Sequence, residues 1–166
     1  MPELVLKQRH RMKRKTIRRL TDELGSSFGL KLEWEDLPVD EATAPSGRVF
    51  ILNGDIVALD VDGKAAPSLR TLLRRLSPKR FVTVDMGAVS FIYNGADVMA
   101  PGIKDAELTI QAGDAVYVRD IKNSKPLAVG VAIITGKEMA LGGTGPAVKN
   151  RHHVGDRLWN FGHEDD

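Results

Sequence analysis

Four histidines, twenty-two carboxylates and no cysteine set what chemistry this chain of 166 residues can do. Without thiols there is no disulfide, no thiolate metal site and no cysteine nucleophile. His10, His152, His153 and His163 do not stand at a metal-ligand spacing with a carboxylate, and adjacent His152 and His153 would point to opposite sides of a strand. The run from Gly142 to Asn150, GGTGPAVKN, is glycine-rich but lacks the Gly-Lys-Ser/Thr ending that a phosphate loop needs, so it reads as a turn. Asp60 and Asp62 bracket a strand end before Gly63, where turn capping accounts for both. No Ser-His-Asp ordering stands out. The expectation is a chain with no catalytic residue, metal or cofactor.

The charged residues suggest binding instead. The formal net charge is only +2, but residues 1–20 carry eight Lys/Arg and one acid, while residues 21–166 carry sixteen bases and twenty-one acids. A second block without acids lies between Asp62 and Asp85 and holds Lys64, Arg70, Arg74, Arg75, Lys79 and Arg80. Two basic blocks on an otherwise acidic chain form an electrostatic footprint for a polyanion. A solvated basic helix is the competing reading for either block taken singly.

The elements that must carry these residues read as α+β. Ile17, Leu20 and Leu24 predict a helix over about 10–24, with Arg14, Lys15, Arg18 and Arg19 on its opposite side and Gly25 as its stop. Leu30, Leu32 and Trp34 alternate with charged residues as in a strand, and the acidic stretch after them reads as a loop. Asn53-Gly54 supplies the two positive-φ positions of a hairpin turn. Leu69, Leu72, Leu73 and Leu76 predict one face of a short helix ended by Pro78. From Phe81 onward short strands at 81–84, 96–99, 108–110, 115–119, 127–134, 147–149 and 157–161, with a helix near 88–94, predict a small β-barrel. The division expected is an α/β domain over 1–77, a barrel over 78–161 and an acidic tail over 162–166. The apolar runs are far shorter than a membrane span and the N-terminus lacks the apolar core of a signal peptide, so a cytoplasmic protein is expected.

The stretch VTVDMGAVSFIYNGADVMAPGI, Val82 to Ile103, sets two glycines and a Pro-Gly around two turns of helix with almost no polar side chains between. It resembles the PUA domain, named for pseudouridine synthases and archaeosine transglycosylases. That family runs from a strand to Gly-Ala, through a short helix to a Gly-Ala strand and a closing Pro-Gly. GTGPAVKNRHHVGDRLWNF resembles the family's closing loop, strand and terminal Leu-Trp. With PSLRTLLRRLSP upstream, the order is similar to a narrower group, comprising the malignant T-cell-amplified sequence protein, its archaeal stand-alone relatives and the front half of ligatin. In that group an α/β pre-PUA domain precedes a PUA pseudo-barrel.

The resemblance implies RNA binding without catalysis. It places a platform for an RNA backbone at Gly87, Ala88, Asn94, Gly95, Ala96, Asp97, Pro101 and Gly102, where small residues let ribose and phosphate approach main-chain N–H groups. Phe91 and Ile92 are consecutive in a short helix, so one of them is expected in the core, and Phe91 and Met99 are read as packing residues more than as RNA contacts. Arg14, Lys15, Arg18, Arg19, Arg70, Arg74, Lys79, Arg80, Lys149 and Arg151 complete the candidate RNA contacts. The narrower group implies a translation factor that contacts small-subunit rRNA or tRNA at the small ribosomal subunit, in initiation, reinitiation or recycling. A SUI1-domain partner, if the chain has one, is then expected from a separate chain. Two other readings stay open: an accessory module for a tRNA- or rRNA-modifying enzyme carried by another chain, and an enzyme with an unrecognised site in the N-terminal domain.

Overall fold

Two left-handed dipeptides fold the first half of the chain into a sheet. Asn53-Gly54 (φ 53° and 82°) and Asp62-Gly63 (φ 49° and 85°) supply the positive φ values that a tight hairpin needs. In the computed structural model, which describes residues 3–163, they join strands β3 (Gly47–Leu52), β4 (Asp55–Val61) and β5 (Lys64–Pro67). Strands β1 (Lys7–Arg11) and β2 (Asp40–Ala44) extend this sheet in the order β1-β2-β3-β4-β5, all antiparallel. Helices α1 (Arg14–Phe28) and α2 (Leu69–Arg74) pack on it.

The second sheet has the order β7-β11-β10-β9-β6-β8. Its strands are β6 (Phe81–Val84), β7 (Val98–Met99), β8 (Ile103–Ala106), β9 (Ala115–Asp120), β10 (Pro126–Ala132) and β11 (Pro146–His153). The edge strands β7 and β8 are separated in the chain by Ala100–Gly102 only, so the sheet curls into a nearly closed barrel. Helices α3 (Val89–Tyr93), α4 (Gly136–Ala140) and α5 (Arg157–Asn160) are short inserts. No helix among the described residues is long and apolar enough to cross a membrane.

Strand periodicity welds the two layers together. Along β9, Val116 and Val118 point into the barrel with Val82, Ile92, Leu127 and Val148. Ala115 and Tyr117 point the other way, into a core with Leu24, Phe28, Leu59, Leu69 and Leu72. The Tyr117 hydroxyl donates to Ser77 O at 2.6 Å, and the Ser77 hydroxyl reaches Phe28 O. His152 of β11 is 1 % exposed; its Nε2 accepts from Leu69 N of α2 at 3.2 Å, and its Nδ1 lies 2.9 Å from Asp156. Arg70 of α2 sits over the Trp159 ring of α5, its guanidinium carbon 3.7 Å from the centroid.

Several elements differ from their sequence reading. Helix α1 starts at Arg14 and runs through Gly25 to Phe28, ending on Gly29 (φ 71°), because burying Leu24 and Phe28 outweighs about 1 kcal/mol of glycine helix cost. Residues 7–11 are a strand, paired with the stretch that had read as an acidic loop. Leu30 and Trp34 are buried without joining a sheet. Residues 108–110 form no strand, and β8 lies just before them; residues 157–160 are helix α5, capped by the Asp156 side chain. Helix α2 is only six residues long, so Leu72 is buried while Leu73 and Leu76 are exposed. Gly162 and His163 of the expected tail pack back on the first sheet, His163 Nε2 lying 2.6 Å from Asp55; residues 164–166 lie outside the described residues.

Two carboxylates are expected to make the fold acid-sensitive. Burial works against the charge of Asp156, but His152 and the Trp159 and His153 amides hold its carboxyl below the ordinary range. Asp55 is likewise held low, against its burial, by His163 and Arg74. A carboxyl with a lowered native pKa adds stability above its unfolded value of about 4, and that stability is lost as pH falls through the native value. Denaturant midpoints measured from pH 6 downward are expected to fall below about pH 4, with a shallower fall in Asp55→Asn.

Candidate nucleic-acid interface

The chain from Met86 to Gly102 forms one rim of the barrel. Asp85 starts it, its side chain accepting from Ala88 N at 3.1 Å while its own N–H donates to Gly102 O at 3.0 Å, which brings the two ends of the segment together. Within α3, Ile92 enters the core and Phe91 stands 66 % exposed. Gly95 (φ 88°) then turns the chain, with its N–H on Ile92 O and Ala96 N on Phe91 O. Gly87, Asn94, Ala96, Asp97 and Pro101 are exposed, and Ala88, Gly95 and Gly102 are half-buried. Met86 and Met99 are also exposed, so the rim presents small residues flanked by three large apolar side chains.

Strand β11 props this rim from behind. Asn150 N donates to Asp97 Oδ1 at 3.0 Å, and Asn150 Nδ2 donates to Ile92 O and Ala96 O at 3.2 and 3.0 Å. One side chain thus fixes both ends of the Gly95 turn, and Asp97 serves that clamp. The Asn150 Oδ1 is buried without a hydrogen-bond partner among the described residues. A bulge follows, since Val129 pairs with His152 but Gly130 with Asn150. It leaves Lys149 and Arg151 exposed while His152 turns inward. Sequence reasoning missed Asn150, His153 and Met86. The contacts of Asn150 span more than fifty residues and left no local signal; the adjacent histidines were the one visible hint.

Folding redistributes the basic residues. Arg14 pairs with Asp36 at 2.7 Å, Arg18 with Glu35 at 2.6 Å, and Arg9 and Arg11 both with Asp40. The hydrogen bond and charge of Asp36 raise the Arg14 pKa further. Arg74 pairs with Asp55 at 2.6 Å, Arg151 with Asp62 at 3.1 Å, and Arg80 donates to Ala115 O. Lys15, Arg19, Lys79 and Lys149 make no ion pair among the described residues. The N-terminal excess of charge therefore lies opposite acids that sequence order had placed in another block. No cluster of three or more metal-ligating side chains occurs among the described residues.

Residues 80–154, the span from β6 to the end of β11, match the PUA domain family model. An uncharacterized protein of Methanocaldococcus jannaschii is 44% identical over 123 residues, covering 74% of this chain and 76% of the relative. The chain belongs to the PUA-domain family. Translation machinery-associated protein 20 of Schizosaccharomyces pombe is 34% identical over 116 residues, which cover 67% of this chain and 64% of the yeast protein, just under two thirds of it. The crystal structure of a hypothetical protein from Pyrococcus horikoshii superposes with a TM-score of 0.80 at 33% identity, over 92% of this chain and 98% of that one. That likeness takes in the N-terminal layer, which lies outside the PUA match. The rim described above falls inside the PUA match, between the two ends of the barrel sheet.

Proposed function

We propose that this PUA protein is a non-catalytic RNA-binding factor of the translation machinery, contacting small-subunit rRNA or tRNA. The observation that carries this reading is the rim itself. Gly87 and Ala96 are exposed and put no bulky side chain in the way of an approaching strand, and Phe91 stands exposed beside them, where a base can stack. The name of the yeast relative supports the link to translation. A SUI1-domain partner from a separate chain belongs to the same reading. Crosslinking followed by sequencing of the bound RNA tests it: small-subunit rRNA, or tRNA recovered together with it, supports the reading. Guide RNA, or tRNA bound together with a modifying enzyme, would move the protein to an accessory role in RNA modification.

Ion pairing sets which cations matter most. For a single strand the log–log salt slope of affinity is about −0.7 per phosphate contact. Replacing Lys15, Arg19, Lys79 and Lys149, whose charges are uncommitted, with Ala is expected to flatten the slope by up to about 2.8. Replacing Arg14 and Arg18 should change it less, because their charges already face Asp36 and Glu35. Titrations of an rRNA fragment at several salt concentrations measure both. An unchanged slope in the first variant would assign these side chains to a solvated surface.

A further inference from the structure

His153 stands at the edge of the rim with one ring nitrogen engaged and the other open. Its Nδ1 lies 3.0 Å from Val154 O, a carbonyl that can only accept, so in the neutral ring Nδ1 carries the proton and Nε2 is left as an acceptor. The backbone anchors the residue too, His153 N donating to Asp156 Oδ2 at 2.9 Å. A Cβ at position 95 would sit 3.4 Å from Nε2. Glycine there, already required by φ 88°, places no side chain against that nitrogen, and His153 is half-buried. No hydrogen-bond partner for Nε2 occurs among the described residues.

We propose that His153 Nε2 accepts a hydrogen bond from a ribose 2′-hydroxyl of the bound strand and so makes this rim prefer RNA to DNA. The inference rests on the RNA binding proposed above. Phosphate oxygens and the ribose ring oxygen only accept hydrogen bonds. An acceptor facing a sugar–phosphate backbone therefore has one donor to meet, the 2′-hydroxyl, the group that distinguishes RNA from DNA. The side chain's fixed orientation means that little conformational freedom is lost on contact.

The test compares a random-sequence single-stranded RNA pool with the DNA pool of the same length, at pH 8. The full-length protein is expected to bind RNA more tightly. His153→Phe, which keeps a ring but removes the acceptor, is expected to weaken RNA binding by about two- to tenfold, the range of one neutral hydrogen bond, and to leave DNA binding unchanged. A measurement on the unaltered protein avoids any folding defect: a 2′-O-methyl RNA pool, which has no donor at that position, should bind as weakly as DNA. Equal loss for RNA and DNA in His153→Phe would instead put the ring on a phosphate or a base, and full binding of 2′-O-methyl RNA would also overturn the assignment. If the unaltered protein binds neither pool, the proposed function itself fails. If it binds both equally, only the role of His153 does.

Discussion

Ala96→Arg is expected to weaken RNA binding at least about tenfold while the protein melts normally. Ala96 is exposed, and its N–H is already used within the turn by Phe91 O, so a long side chain there points to solvent without breaking a contact. Exposed substitutions of this kind change stability by about 0.5 kcal/mol or less, or roughly 2 °C in a chain of this size. The added charge should tighten binding of any polyanion held by electrostatics in general. The added volume should instead block a backbone that has to come close to the Gly95–Ala96 main chain. A loss of at least about tenfold, near 1.4 kcal/mol, is expected for an rRNA fragment. Affinity and melting temperature measured on one preparation separate the cases: tighter or equal binding with a normal melt would remove the rim from the interface.

The second large effect is on stability. Replacing His152 with Ala leaves the Leu69 N–H and the half-buried Asp156 carboxylate each short of a partner, and opens a cavity between the layers. Losses of this kind cost about 3 kcal/mol, which corresponds to a fall of about 6–12 °C in the melting temperature. His152→Phe separates cavity from hydrogen bonds, because it fills the space without restoring either bond. It is expected to remain several degrees below the unaltered protein, and a melt restored by Phe would assign the effect to packing. Because His152 belongs to β11 and Leu69 to α2, the loss should appear in both layers as one cooperative transition.

Much of this fold was legible in residue order, and the reason is range. The Asn53-Gly54 hairpin, the strands at 81–84 and 115–119, the short helix around Val89–Tyr93 and the stop at Pro101-Gly102 are each written within a few residues, by turn chemistry and by period-two apolar patterns. The rim was marked by the resemblance of Val82–Ile103 to the PUA family, since small residues around an apolar turn of helix leave packing and close approach equally open. The absence of cysteine excluded thiol chemistry outright. What tertiary structure decided is whatever depends on a partner far along the chain. The stretch at 40–44 became a strand because Lys7–Arg11 pairs with it, and α1 passed through Gly25 because the core had room for Phe28. Phe91, read as a packing residue, turned outward because Ile92 took the barrel interior. The largest difference lies in the charges. In sequence the basic arm and the acidic stretch are separate blocks, whereas in the fold Arg14 and Arg18 face Asp36 and Glu35, and Arg9 and Arg11 share Asp40. A charge count along the chain cannot see that pairing, because Coulomb attraction acts over a few ångströms of space and not over positions in the sequence.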